Sequence, residues 1–327
     1  EEITFMEPQA GGACRAGNIY NLLQRVLYRM VEQGQLEYAQ IPVISLNLMG
    51  EEKHTGFRIT PSLLSGGIAA GCYGDLIMCL YQQVKPYEQN PGETDRIRSQ
   101  VEKKLCESIR RHRNGRHTRE KNYRYACEVF SKVPVKPGKK KRVGITGEIY
   151  MKYSKLGNDD IESFLLRQGM EPYSGGFVNY CLYLVDTERY KAEKYQHNPI
   201  MAKACAFVLH RLCEAQKHLL TVIGETDRFQ TDLPFPELKE KVQGILAEGC
   251  NTGDGWLIAA EVIQYVEKGC GSVLILHPFG CLVSHVCERG ILQRLHARFP
   301  DVSIQTIEYD YDQSKTLRES RILLGIS

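Results

Sequence analysis

The stretch SVLILHPFGC at residues 272–281 decides the fold prediction, because it joins a short apolar run to a Pro-Phe-Gly turn. A run of this length that ends at turn residues is typical of a buried strand in a parallel sheet. The same strand-then-helix pattern occurs at residues 143–146 and 303–308. Alternating strands and helices imply right-handed crossovers and a doubly wound α/β architecture. We therefore expect the loops after these strands to meet at the carboxyl edge of the sheet, where sites form in such folds.

The first half of the chain carries a similar pattern. Residues 41–48 form a short apolar run that predicts another buried strand, and the apolar residues between 19 and 30 follow the helical period. Asn158 or Asp159 is expected to cap a helix that stops at Gly169. Further helices are predicted at residues 60–83, 97–109, 119–131, 198–222, 236–247 and 256–267.

The segment VPVKPGKKKR at residues 133–142 predicts a linker, because two prolines, a glycine and consecutive basic residues do not continue a helix or a strand. A chain of 327 residues is expected to form about two domains of roughly 150 residues each. We therefore predict a first α/β domain at residues 1–138 and a second at residues 139–327.

Composition and charge exclude several classes of protein. The chain has 42 basic and 39 acidic side chains, and this net charge of +3 is too balanced for a dedicated nucleic-acid binder. No apolar run reaches the roughly 18 residues of a membrane span, and the start lacks the pattern of a signal peptide. We therefore expect a soluble, cytoplasmic protein that binds neither nucleic acid nor membrane. Because the sequence starts without Met on a predicted strand at residues 3–6, we expect it to be a piece of a longer polypeptide.

The twelve cysteines point to reduced thiols, since no signal peptide directs the chain to an oxidising compartment. None of them forms a C-x-x-C pair, which argues against zinc ribbons, thioredoxin motifs and clustered ferredoxin ligation. The sequence also contains no P-loop and no dinucleotide fingerprint. Any metal would therefore take ligands that are distant in sequence.

The loop HPFGCLVSHVCERG at residues 277–290 is the most specific chemical feature. It places Cys281 after Gly280 at the predicted start of a helix, where the helix dipole stabilises a thiolate. His285 and Cys287 follow in the first two turns of that helix. Two interpretations stay open, Cys281 as a core residue, which is the commoner outcome, and Cys281 as a metal ligand. A zinc site on Cys281 and His285 would need further ligands from elsewhere in the chain.

Cys14 occupies an equivalent position, at the end of a Gly-Gly-Ala turn with Arg15 beside it to stabilise a thiolate. A buried spacer and a ligand are equally compatible with this pattern. We expect the loops of Cys14 and Cys281 to face a cleft between the two domains. Glu148, directly after the strand at residues 143–146, is a candidate general acid or base, with a structural carboxylate as the equal alternative.

Three polar patterns have simpler explanations than a site. Carboxylates alternate at residues 308, 310 and 312 like ligands of a hard metal, but their proximity to the next helix accounts for them. Basic side chains between residues 110 and 142 suit phosphates or an acidic partner, or form a solvated helix end and linker. The Gly-Asp-Gly turn at residues 253–255 suits an anion or a plain helix start.

Several stretches resemble the electron-accepting subunits of the 2-hydroxyacyl-CoA dehydratase, benzoyl-CoA reductase and double-cubane cluster family. The resemblance is greatest to the large fusion proteins known as CoA-substrate-specific enzyme activases. The matching stretches are spread over nearly the whole chain, at residues 12–23 (GACRAGNIYNLL), 41–47, 85–88, 143–150, 277–290 and 303–310.

The resemblance implies two flavodoxin-like, Rossmann-like domains with parallel sheets and extra helices. It also implies an iron–sulfur cluster, either [4Fe–4S] or double-cubane, with Cys14 and Cys281 as ligands and Cys287 as a further candidate. An additional ligand motif of the family usually lies upstream, so the cluster is expected in the complete polypeptide. The remaining cysteines on predicted helices are expected to be packing residues, at positions 72, 79, 106, 127, 205 and 213.

The implied function is electron acceptance. An ATP-dependent activase, in cis or in trans, would deliver low-potential electrons for the reduction or dehydration of a substrate, and an acyl-CoA is the substrate by analogy. The alternative is a cluster-free docking module that positions the activase within a fusion protein. Assembly as a homodimer stays open.

Overall fold

The computed structural model describes residues 5–8, 15–35, 43–46 and 60–326. The chain divides into two compact units, Glu1–Thr60 with Gly280–Leu282, and Pro61–Phe279 with Val283–Ser327. The predicted linker at residues 133–142 lies inside the second unit. The assignment of two α/β domains with a boundary at that linker stays a prediction.

The first unit contains a parallel strand pair. Strand β1 spans Phe5–Pro8, and strand β2 spans Val43–Leu46. Between them in sequence lie a 3₁₀ turn at Arg15–Asn18 and helix α1 at Ile19–Glu32. Parallel strands need such a crossover, because a hairpin turn only joins antiparallel strands. The predicted order of helix followed by strand is therefore present.

The second unit is built from one parallel sheet and a large helical layer. Its strands are β3 (Arg142–Gly147), β4 (Glu171–Tyr173), β5 (Ser272–Pro278) and β6 (Ser303–Tyr309). Its helices are α2 (Pro61–Val84), α3 (Glu93–Arg110), α4 (Arg116–Ser131), α5 (Ile149–Tyr153), α6 (Ile161–Arg167), α7 (Phe177–Lys194), α8 (Pro199–Gly224), α9 (Phe235–Glu240), α10 (Gly255–Glu267), α11 (Arg289–Arg298) and α12 (Lys315–Ile326).

The sheet has the strand order β4-β3-β5-β6, with all pairs parallel. This is the order of flavodoxin-like folds, in which the chain reverses direction across the sheet after its second strand. The switch point lies between β3 and β5. Successive residues of β5 alternate between two hydrophobic cores, with Val273 and Ile275 on one face and Leu274 and Leu276 on the other. Both faces are covered, and the predicted α/β class is confirmed.

Helix α2 is long and apolar enough to cross a membrane over Ser62–Tyr87, by length and composition. In the structure it is instead a core helix of the second unit. Tyr73, Leu76 and Leu80 are buried in the same cluster as side chains of α3, α4, α7 and α8. Of the most apolar stretch of this helix, 33% is buried within the structure.

Some predicted element bounds were wrong. The helix predicted to run to residue 247 ends at Glu240, and turns follow. Helix α6 starts at Ile161, directly after Asp160, whose φ of 52° lies in the left-handed region. The predicted capping side chain of Asn158 is present, since its Oδ1 accepts from the Ile161 N–H. Strand β4 and helix α7 were not predicted from the sequence.

Candidate functional site

Three chain segments meet at the carboxyl edge of the sheet, at the switch point and beside it. Gly147 and Glu148 lie at the end of β3, His277 near the end of β5, and Glu308 near the end of β6. The Glu148 N–H donates to the Leu276 carbonyl at 2.8 Å, which ties the loop after β3 to β5. Gly147 has a φ of 131°, and a Cβ there would collide with the same carbonyl oxygen. The loops that the sequence predicts to meet do so here.

His277, His285 and Glu308 form a compact group of metal-ligating side chains. His277 and Glu308 are register partners on neighbouring parallel strands, so their side chains lie on the same face. The Glu308 Oε2 atom is 4.0 Å from Nδ1 of His277 and 3.5 Å from Nε2 of His285. One ligand atom from each of the three residues lies within 4.8 Å of the other two. Two imidazoles and one carboxylate are a common donor set for zinc and for non-haem iron.

His277 is the most buried member of this group. Its ring is fully buried, and among the residues that the structure describes neither ring nitrogen makes a hydrogen bond of normal geometry. Buried polar groups almost always have a partner, so both nitrogens of this imidazole are suited to take one. Burial lowers the pKa of His277 below its usual value, and the ring is therefore neutral near pH 7. Neutral imidazole is the form that coordinates a metal.

His285 lies on a π-helical turn at Ser284–Glu288. Such turns are rare and often occur at functional sites. Arg289, directly after the turn, donates to Glu308 Oε2 at 3.1 Å and balances that carboxylate. The side chains of His285 and Glu308 are 32% and 22% exposed, so this side of the group is open to solvent.

Two buried carboxyl groups, Glu288 and Asp254, and the partly buried Glu148 lie close enough to one another to interact electrostatically. Glu288 is fully buried, and its carboxylate lies close to the Ser284 side chain. Burial raises the pKa of Glu288 to about 8, and the nearby charge of Glu148 adds to the rise. Burial also raises the pKa of Asp254, which senses both Glu148 and Glu288. The three groups therefore hold protons at neutral pH more readily than isolated carboxyls do.

Glu148 has a structural task at this position. Its side chain accepts a hydrogen bond from the Met151 N–H at 3.0 Å and caps the short helix α5. Burial raises the pKa of Glu148, although the N–H groups of Met151 and Tyr150 oppose the rise. A capping carboxylate with a raised pKa fits both interpretations of the sequence, so its role as a general acid or base stays a prediction.

The predicted cluster cysteines are only partly described by the structure. Cys14 lies outside the described residues. Cys281 is partly exposed and belongs to the first unit, whereas Cys287 is partly exposed on the π-helical turn of the second. Their assignment as cluster ligands stays a prediction. Among the cysteines expected to pack on helices, Cys106 is exposed on α3, so the packing role predicted for it was wrong, since its side of the helix faces solvent.

A separate buried polar cluster joins the sheet to the helical layer. Lys152 contacts both carboxylate oxygens of Glu261 at 2.7 and 2.9 Å, and the Thr146 hydroxyl donates to Glu261 Oε2 at 2.5 Å. Nearby, the Asp75 carboxylate accepts from two N–H groups in the first turn of α7, and burial raises its pKa to about 7. A cleft of about 230 Å³ opens beside Lys152. The buried pair and the helix cap fix the sheet against the helices.

Sequence reasoning found part of this site. It singled out His285 and noted that a zinc site there lacked ligands, and it placed Glu308 among acidic residues at a strand end. It assigned no role to His277 or to Glu288. The only sequence signal of each is its polar side chain, at the end of the apolar strand for His277 and after the following turn for Glu288.

Comparisons with known proteins give no information on function. No protein-family model, curated protein or solved structure matches the chain. The resemblance to the dehydratase and reductase family therefore rests on the stretches quoted above.

Proposed function

We propose that this chain is an iron–sulfur electron-accepting component of the 2-hydroxyacyl-CoA dehydratase or benzoyl-CoA reductase type. One observation carries the proposal: the segment with the most specific resemblance, residues 277–290, lies at the carboxyl edge of a flavodoxin-like parallel sheet. That edge, beside the switch point, is where α/β folds of this order bind their cofactors. An ATP-dependent activase, in cis or in trans, supplies the electrons, and an acyl-CoA accepts them.

The proposed ligand residues are of the type that binds iron–sulfur clusters. Cys281 and Cys287 lie in one short segment, are both partly exposed, and have thiol side chains that are soft metal ligands. Cys14 is the third proposed thiolate, and iron–sulfur clusters are held mainly by such ligands. When bound, the cluster supplies a one-electron store of low potential. The thiols hold it, and a reducing cytoplasm keeps them reduced.

A second candidate function is docking of the activase without a cluster. One observation favours it: helix α8 exposes Ile200 and Phe207, which are 81% and 68% accessible. They are seven residues apart, so they lie on the same side of the helix after two turns. Large apolar side chains that share one exposed face are typical of a surface that binds another protein.

The test is an anaerobic preparation of the complete polypeptide, with iron and sulfide measured for the wild type and two variants. The proposal expects brown wild-type protein with stoichiometric iron and sulfide, and loss of both in Cys281→Ser. Cys205→Ser, a partly exposed cysteine on α8, is the matched control and should keep the cluster. Colourless, iron-free wild-type protein would refute the proposal and favour docking. Phe207→Glu should then abolish activase binding.

A further inference from the structure

We propose that His277, His285 and Glu308 form a mononuclear site for a divalent transition metal of the zinc and ferrous class. The site uses no cysteine and is independent of the iron–sulfur cluster proposed above. It lies wholly within the second unit, between the ends of β5 and β6 and the π-helical turn.

The spacing of the donors suits one ion. A tetrahedral zinc with bonds of about 2.0–2.1 Å holds its ligand atoms roughly 3.4 Å apart. The contact between His285 Nε2 and Glu308 Oε2 already measures 3.5 Å, and the contact between His277 Nδ1 and the same oxygen measures 4.0 Å. A small inward movement of the partly exposed His285 and Glu308 side chains therefore completes the three-ligand set.

His277 supplies an independent indication of a ligand. It is 0% exposed and lies in edge-to-face contact with the His285 ring, and neither of its nitrogens makes a hydrogen bond of normal geometry to any residue in the described part of the chain. A buried imidazole that only packed would stabilise the fold less than an apolar side chain of similar size. Its presence at this position is explained by a bound cation that accepts the nitrogen lone pair.

The partly exposed side of the site leaves room for a ligand that is not part of the protein. Three protein ligands leave at least one coordination position, and the exposure of His285 and Glu308 places that position towards solvent. A closed structural zinc site would have four protein ligands. The ion would therefore carry a water or a small oxygen ligand. Arg289 donates to Glu308 Oε2 at 3.1 Å, so a guanidinium group lies beside the site.

The experiment is a titration of the aerobically purified, cluster-free chain with Co²⁺ alone, followed by visible absorption. The expected result is one equivalent of Co²⁺ with ligand-field bands but without the intense charge-transfer band of cobalt–thiolate bonds. His285→Ala and Glu308→Gln should weaken binding on the order of 100-fold or more, since even indirect contacts to a metal change affinity 10- to 100-fold. His296→Ala, an exposed imidazole on α11, is the matched control and should bind as the wild type does.

A second variant separates a metal ligand from a structural residue. His277→Leu should abolish Co²⁺ binding without lowering the urea midpoint of the metal-free protein, because it removes two unpartnered buried nitrogens. A strong thiolate band, unchanged binding in His285→Ala, or no binding by the wild type would overturn the proposal. So would a lowered midpoint in metal-free His277→Leu. Because cluster-free protein is used, these outcomes are distinguishable from failure of the iron–sulfur proposal.

Discussion

Removal of the buried lysine at the sheet–helix junction should be among the most damaging single substitutions in the second unit. Lys152 and Glu261 have side chains only 4% and 3% exposed, with contacts of 2.7 and 2.9 Å. Lys152→Met removes the cation and leaves the Glu261 carboxylate buried with the Thr146 hydroxyl as its remaining donor. Breaking one side of a buried ion pair costs about 3–5 kcal/mol. We therefore expect Lys152→Met to lower the free energy of unfolding by about 4 kcal/mol.

The second substitution tests the origin of that loss. Glu261→Gln in the Lys152→Met background removes the orphaned charge and still accepts the Thr146 hydrogen bond. The double variant should recover at least half of the lost stability, as expected when uncompensated burial of charge dominates. The matched control is Lys132→Met, which breaks an exposed pair with Glu128 and should cost less than about 1 kcal/mol.

The assay is urea unfolding followed by tryptophan fluorescence. Trp256 is the only tryptophan of the chain and is buried in the core of the second unit, so the signal reports that unit. Linear extrapolation gives the free energy of unfolding for each variant. If Lys152→Met costs no more than Lys132→Met, or if the two core substitutions are simply additive, the reasoning from buried charge is wrong.

Three further predictions concern other sites in the second unit. Burial raises the pKa of Glu288 from 4.5 to about 8. The free energy of unfolding of the wild type should therefore fall as pH rises from 4.5 towards 8, by on the order of 3 kcal/mol at pH 7. Glu288→Gln stays neutral and should flatten this slope, measured as urea midpoints at pH 5 and 8. Gly147→Ala should abolish soluble expression, because its Cβ collides with the Leu276 carbonyl, and a normal yield would contradict this geometry. Mass spectrometry of thiol labelling should find Cys106 modified in the folded protein before the buried Cys72.

The fold class was readable from the sequence because parallel strands buried on both faces are short, continuous apolar runs. Strands β5 and β6 and the helices α2, α8 and α10 match their predicted positions within a few residues. Their signals are local: Pro199 in the first turn of α8, the Asn198 side chain that caps it, and the turn residues that follow β5.

Elements whose identity depends on tertiary packing were missed. Strand β4 has only three residues, one of them Pro172, and is a strand because it pairs with β3 at the sheet edge. Helix α7 begins with buried and exposed aromatic residues that show no clear helical stripe. It is stabilised by packing against α8 and by the buried carboxylate of Asp75 at its first turn.

The sequence by itself determined the α/β class, and it predicted the edge of the sheet where chemistry is to be sought and the segment at residues 277–290 as its carrier. These properties follow from local periodicity and from the geometry of parallel strands, which any sequence of this pattern shares. Only the tertiary structure decided which side chains meet there. Register pairing sets His277 beside Glu308, and the π-helical turn brings His285 to both. Burial then leaves the His277 nitrogens without a hydrogen bond of normal geometry to the residues that the structure describes. Contacts between residues so distant in the chain depend on strand register and packing, which no local pattern encodes.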